Sequence, residues 1–369
     1  MEPVVPPQVT AELTQILSNL VLGDNEIRSS AEKAVNDRLD QTPDLYLLAL
    51  AQFATSADTE VMRSFSLVLL RRLLFRSPAN GRLALYDHLP AQALASLERF
   101  LLYSLLHEPS VPVRRKSVDT ITDLANYSMS RGNPWHALQA QAFAMAQGEN
   151  PNNREAAYRV FAGSPNLIMD LQADSVLAVL QKGLQDPQSV EVRHAALRAS
   201  VAYLSASETA QQAQVLSLMY PMLNTLPYLP HSHLPTFLST LTPLASSHPM
   251  LFATHIPALL KFLPNLILPS GDPGPTPTVA RPNPSGGSSF IFPPPDEKGK
   301  GAASRGSPED EEEEEVRKAA LEFMISLSEA RPSMVRRIEP WTAAIVRGCL
   351  EGMGEIPEED TEIWLEADV

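Results

Sequence analysis

The stretch "DPQSVEVRHAALRASVAYL", residues 186–204, opens with two helix-start residues, Asp186 and Pro187, and then repeats Val192, Ala195, Ala196, Ala199, Ala202 and Tyr203 at helical spacing. A helix with one buried stripe usually fills it with bulky side chains. Alanines on that stripe imply that another helix comes close, because small residues shorten the distance between helix axes. A chain made of many such closely stacked helices has a different architecture from a globule, so recurrence of the pattern decides the fold.

The pattern recurs. An apolar residue, then Arg, then a helix rich in small residues appears in "IRSSAEKAV" at Ile27, "VRRKSVDTITDLA" at Val113, "VRHAALRASVAYL" at Val192 and "VRKAALEFMISLSEA" at Val316, with weaker forms in "MRSFSLVLLRRLL" at Met62 and "NREAAYRVF" at Asn153. Arg28, Arg63, Arg114, Arg154 and Arg193 are separated by 35, 51, 40 and 39 residues, around the period of HEAT and armadillo units. Between these anchors lie more aliphatic segments, "PDLYLLALAQFA", "LPAQALASLERFLLYSLL" and "DSVLAVLQKGL". Each unit therefore reads as a first helix, a turn and a second helix that begins with the arginine. A sixth unit without the arginine follows from "QAQVLSLMYPMLNTLPYL" and "LPTFLSTLTPLAS". "HIPALLKFLPNLIL" is the first helix of a seventh, whose second helix is expected at Val316, and "PWTAAIVRGCLEGM" begins an eighth.

Aromatic content is 6% and alternating β-branched runs are absent, so the fold class is all-α: an α-α superhelix of about 7.5 HEAT/ARM-like repeats. Four regions are expected: repeats at 1–110, further repeats at 111–268, a Pro/Gly/Ser-rich insertion at 269–309, and a last repeat with an acidic stretch at 310–369. The insertion is expected to be disordered, since its composition buries too little apolar surface to offset ordering entropy. Phe290 and Phe292 lie within it, and so does Ser307, which precedes Pro308 and an acidic run.

The formal net charge is −14, and 18 of the 43 acidic residues fall in residues 309–369 with only 6 bases, a net −12 there; the remainder, 25 acids against 23 bases, is nearly balanced. Neither part has the basic stripe that a phosphate backbone requires, so nucleic acid is not an expected partner. Basic protein surfaces are. A single cysteine, Cys349, rules out an internal disulfide framework. No stretch of 18 uninterrupted apolar residues occurs, so membrane insertion is not expected. The start "MEPVVPPQVTAEL" has neither the basic nor the apolar region of a signal peptide.

Enzymatic motifs are missing. Nothing matches G-x-x-x-x-G-K-[ST], G-x-S-x-G or H-E-x-x-H. His231 and His233 have metal-ligand spacing but no third ligand nearby in sequence. No catalytic residue, metal or cofactor is expected. The repeated arginines read best as structural, each hydrogen-bonding turn groups of its neighbour and together forming a ladder along the stack.

"AEKAVNDRLDQTPDLYLLALAQFATSADTEVMRSFSLVLLRRLLFRS", residues 31–77, resembles the N-terminal domain of karyopherin-β (importin-β) nuclear transport receptors, and "VLLRRLL" is particularly similar to the importin beta-3 branch. At the other end, "MVRRIEPWTAAIVRGCLEGMGEIPEEDTEIWLEADV", residues 334–369, resembles that branch's acidic stretch with an embedded tryptophan, here Glu358, Glu359, Asp360, Glu362 and Trp364. The resemblance implies the N-terminal portion of an import receptor that binds cargo in the cytoplasm, touches Phe-Gly nucleoporins at the nuclear pore, and releases cargo in the nucleus when the GTP form of the Ran GTPase binds. It implies Ran contacts at Arg71 and Arg72, at the end of the second unit's second helix, where several relatives carry Lys-Asn. It also implies that the acidic stretch receives a basic face of Ran or basic cargo such as ribosomal proteins or histones. A monomer is expected. The periodicity alone equally fits a HEAT scaffold or regulatory subunit, of the phosphatase-scaffold or tubulin-binding kind, with no dependence on Ran.

Overall fold

The computed structural model describes residues 4–21, 24–75, 84–207, 216–268 and 308–354. Among these residues every regular element is helical, with nineteen α-helices and short 3-10 turns between some of them, as the periodicity predicts. The insertion, Phe290, Phe292, Ser307 and the stretch from Glu358 to Trp364 lie outside the described residues, apart from the insertion's last two positions.

Helix starts follow local chemistry. Asp24 accepts from the backbone N–H groups of Glu26 and Ile27, Thr59 from Met62, Asn150 from Asn152 and Ser189 from Val192, so side-chain oxygens satisfy donors that a first turn leaves orphaned. Proline stands in the first turn of the helices that begin at Pro43, Val111 and Pro151, where its missing N–H has no partner to lose. Gly132 has φ +78° and its N–H bonds the Met129 carbonyl, ending a twenty-residue helix with the left-handed residue that only glycine adopts freely.

The chain forms two compact units, Met1–Thr225 and Leu226–Val369. In the first, the helices are α1 (Pro7–Val21), α2 (Asn25–Gln41), α3 (Pro43–Ser56), α4 (Glu60–Leu74), α5 (Leu85–His88), α6 (Ala91–His107), α7 (Val111–Ser130), α8 (His136–Gln147), α9 (Pro151–Gly163), α10 (Asn166–Met169), α11 (Ala173–Leu184), α12 (Val190–Ala206) and α13 (Met219–Asn224). Five hairpins result: α1/α2, α3/α4, α6/α7, α8/α9 and α11/α12. First helices pack on first helices (α1, α3, α6, α8 and α11 in succession), and second helices pack α4 on α7, α7 on α9 and α9 on α12. This is a two-layer stack with a continuous apolar interior, in which each hairpin touches its neighbours.

The alanine-rich helix of the stretch at 186–204 is α12. Ala195, Ala196 and Ala199 are buried, as are Val192 and Tyr203, and α12 packs extensively against α9. Close approach continues into α11, where a Cβ at Gly183 would stand 2.3 Å from the Tyr158 ring and 2.7 Å from the Ala196 Cβ. Tyr158 is fully buried, and its hydroxyl donates to the Val179 carbonyl at 2.8 Å. Glycine at 183 is thus what lets α11 seat against both α9 and α12.

The second unit contains α14 (Leu234–Ser247), α15 (Ile256–Phe262), α16 (Pro264–Ile267), α17 (Pro308–Ala330), α18 (Pro332–Val335) and α19 (Glu339–Gly354). Helix α17 packs on α14, α16 and α19. Phe323 meets Phe252 edge-on at 5.5 Å between centroids, and the buried Trp341 of α19 donates its indole N–H to Ser328 of α17 at 3.0 Å. One boundary differs from the sequence reading. Helix α17 starts at Pro308 rather than Val316, so the acidic run occupies its first turns instead of preceding it. Negative charge there is favoured by the helix dipole, and Glu314 pairs with Lys318 one turn on.

Gly183→Val should force Tyr158 or Ala196 to move and lower the stability of the chain by about 1–3 kcal/mol. Urea unfolding followed by circular dichroism measures it, and an unchanged midpoint would show that the interface yields.

Candidate protein-docking surface

Two of the recurring arginines are joints between hairpins of the stack. In α4, Arg63 donates through Nη1 to the carbonyls of Ala57 (2.9 Å) and Asp58 (3.3 Å) in its own hairpin turn, and through Nε and Nη2 to both carboxylate oxygens of Glu108 (2.9 and 3.0 Å) in the next. Arg154 of α9 repeats this. Its Nη1 reaches the carbonyls of Gly148 (3.1 Å) and Glu149 (2.6 Å), its Nε reaches Asp186 (2.7 Å), and its Nη2 reaches Gln188 (2.9 Å). The Asp186 carboxylate also accepts from the N–H groups of Gln188 and Ser189. Burial pushes the Asp186 carboxyl up, but Arg154 and those two N–H groups together outweigh it and hold the acid below its ordinary value.

Arg114 of α7 is an incomplete rung. It donates to the Glu108 carbonyl, six residues back like the other two. The turn of the next hairpin, however, has Gly148 where the third hairpin has Glu108. The buried Arg114 Nε has no hydrogen-bond partner among the described residues. Burial lowers the guanidinium's pKa, opposed by the charges of Glu108 and Glu155. Arg193 of α12 likewise leaves its Nε without a partner there, and Arg28 bonds Asn25 on its own helix (2.8 Å).

The exposed face of the second helices carries the residues that the sequence singles out. Arg71, at the end of α4, pairs with Asp123 of α7 at 2.5 Å and lies 4.0 Å from Asp119, which also meets Lys116 at 3.9 Å. Arg72 is exposed and makes no ion pair among the described residues. The two adjacent arginines thus differ: Arg71 is engaged across the α4–α7 groove, and Arg72 faces solvent. Val61 and Val68 of α4 are exposed too. His231 and His233 lie in a one-turn 3-10 segment, and no cluster of three potential metal-ligating side chains forms among the described residues.

Sequence reading overlooked the opposite layer. Between α6 and α8 runs a groove of about 430 Å³ lined by Leu102, Tyr103, Leu106, His107, Trp135 and Gln141. Tyr103 and Leu106 are partly exposed there, and Tyr103 stacks on His107 at 4.4 Å. The available signal was an aliphatic first helix, "ERFLLYSLLH", carrying more apolar residues than one buried stripe needs. Among the described residues no helix is long and apolar enough to cross a membrane.

Two family models match separate parts of the chain, one described as IPO5-like, TPR repeats, over residues 109–262, and one described as Importin repeat, over residues 309–369. Importin subunit beta-3 of Saccharomyces cerevisiae is 29% identical over 229 residues, which is 60% of this chain and 21% of that protein. The probable importin-5 homolog of Dictyostelium discoideum is 24% identical over 223 residues, 58% of this chain and 20% of that one. The chain therefore matches about a fifth of the length of these relatives. Among solved structures, Kap121p shares the fold with a TM-score of 0.74 and 24% identity, over 95% of this chain and 30% of that one. Kap121p bound to RanGTP gives 0.74 and 23%, over 98% and 30%, and Kap121p bound to Nup53p gives 0.73 and 24%, over 96% and 30%.

Arg154→Ala leaves Asp186 buried without its cation and should cost about 3–5 kcal/mol in the unfolding free energy of the full chain. The Asp186 carboxyl is held below its unfolded value, so its stabilisation is complete above the unfolded pKa and is lost as pH falls through the folded one. Wild-type protein should therefore lose stability more steeply than Asp186→Asn below about pH 4, as read by thermal melts across acid pH.

Proposed function

The chain belongs to the importin-β family, and on that premise we propose that it serves in a nuclear import receptor that binds the GTP form of Ran, nucleoporins and basic cargo, and moves between cytoplasm and nucleus through the pore. The observation that carries this reading is the pair of importin-type matches at 109–262 and 309–369, flanking the low-complexity insertion. Solved Kap121p complexes with RanGTP, Nup53p and Pho4p support the choice of partners.

In this reading Ran docks on the second helices of the first hairpins, with Arg72 and the exposed Val61 and Val68 as contacts, and Arg71 exchanging its α7 carboxylates for groups on Ran. The Arg71 pairs with Asp119 and Asp123 are about half exposed, and surface pairs of that kind hold within about 1 kcal/mol, so exchange is cheap. Glu358, Glu359, Asp360 and Glu362, with Trp364 among them in sequence, supply the negative charge that receives basic cargo or a basic face of Ran. The net −12 of residues 309–369 draws such partners from about a Debye length away. The groove around Tyr103 and Leu106 suits an aromatic side chain of a Phe-Gly sequence, since it is apolar, open and bordered by an aromatic ring.

Pull-down with Ran held in its GTP or GDP form tests the proposal. Retention of the GTP form at least about tenfold over the GDP form is expected for a carrier; equal retention, or none, favours the HEAT-scaffold alternative. Arg71→Glu with Arg72→Glu should weaken capture of the GTP form by about tenfold or more through like-charge juxtaposition. Neutralising Glu358, Glu359, Asp360 and Glu362 to their amides should lower retention of a histone probe and flatten its salt dependence.

A further inference from the structure

Three arginines stand on consecutive second helices of the third to fifth hairpins, Arg115 on α7, Arg159 on α9 and Arg198 on α12, and the first two share one carboxylate. Arg115 of α7 and Arg159 of α9 both reach the same oxygen, Oε1 of Glu155, at 3.0 and 2.8 Å. The Glu155 side chain is only 8% exposed, so it is a fixed anchor rather than a mobile surface acid. Arg198 comes from the next second helix, α12, and has no carboxylate within ion-pair distance among the described residues. Arg198 follows Arg193 by five residues as Arg159 follows Arg154, and α12 packs directly on α9, so the two exposed-face arginines occupy equivalent places on adjoining helices. Partial burial and then the charge of Arg159 disfavour the charge of Arg198, and the charge of Asp119 on α7 favours it.

The alanine packing creates this crowding. Ala156 and Ala157 on α9 and Ala195, Ala196 and Ala199 on α12 are all buried and the two helices pack closely, so the backbones that carry the two arginines are held at a fixed short spacing. Asp119, the acid whose charge acts on Arg198, is already shared with Arg71 and Lys116. A chain with net charge −14 thus keeps a cationic excess at one rigid place.

We infer that Arg115, Arg159 and Arg198 form a docking site for an acidic peptide segment of a partner protein, whose carboxylate fills the position beside Arg198 that this chain leaves without an acid. Charge complementarity selects that occupant. Axes of helices packed side by side lie about 8–10 Å apart, and an extended peptide repeats same-side residues every 6–7 Å or so, so acids at alternate positions reach arginines on neighbouring helices. Guanidiniums bind carboxylates in a fork that a water shell does not match. A nucleic acid backbone is the poorer fit, because the body of the chain is nearly neutral and the cations do not extend into a stripe. This site has the opposite sign to the acidic stretch and stands whether or not Ran is bound.

The experiment is fluorescence anisotropy with a labelled peptide of about ten residues carrying Glu at alternate positions, titrated against the full chain at about 150 mM salt, with a Gln counterpart as the neutral control. Saturable binding of the Glu peptide alone is expected. Arg198→Glu and Arg159→Gln should each weaken it about tenfold. Arg336→Glu with Arg337→Glu, two exposed arginines of the other compact unit, should leave it unchanged. Arg198 holds no ion pair among the described residues, so its variant should melt like wild type, which separates loss of binding from loss of fold. Absence of saturation, equal loss in the Arg336/Arg337 control, or displacement of the peptide by a single-stranded oligonucleotide at equal concentration would each overturn the site.

Discussion

The constraint on which the first unit depends is the guanidinium at the start of a second helix. It bonds a carbonyl six residues back, closing its own hairpin turn, and in Arg63 and Arg154 it simultaneously takes a carboxylate from the turn of the next hairpin. Apolar burial between helices is non-directional: it draws hairpins together without fixing how far one slides along the other. A bidentate, buried ion pair that also holds turn carbonyls does fix it. Charge thus supplies register, and alanine and glycine supply closeness.

The periodicity made much of this legible. Apolar spacing located the helix pairs, and the fixed place of Arg in each pair identified it as a structural group. The partners were not legible. Glu108 and Asp186 lie 45 and 32 residues beyond their arginines, in turns whose sequences, "HEPS" and "DPQS", read only as helix starts. The start of α17 was misplaced because a run of acids next to Pro308 resembles the solvated end of a linker, although glutamate is a good helix former with a favourable position in a first turn. Of the candidate site, Arg71 and Arg72 were identified by resemblance. That one of them is paired to α7 and the other is free to meet solvent depends on contacts between hairpins, which no local pattern encodes. The α6–α8 groove was invisible for the same reason.

Separation of charge runs through the whole chain. Acids concentrate in residues 309–369, while the second-helix face of the first unit holds arginines shared among too few carboxylates. A protein arranged this way offers different surfaces to partners of opposite sign, and salt weakens each of them separately. Among such surfaces the buried anchors, Glu155 and Asp186, set positions, and the exposed arginines around them remain available for exchange.

Joints in series under a common load deform according to their individual compliance, and the load need not be shared evenly. The joint between the third and fourth hairpins lacks the carboxylate that Arg114 would grip, because Gly148 stands in its place. It is held instead by the pair of Arg115 with the buried Glu155 and by hydrogen bonds from Gln141 to the Leu102 carbonyl, Asn126 to the Gly163 carbonyl and Ser164 to the Thr122 carbonyl. A twist passing along this stack would therefore meet a guanidinium–carboxylate clamp at the second-to-third and fourth-to-fifth junctions, and between them a junction fastened by more scattered bonds.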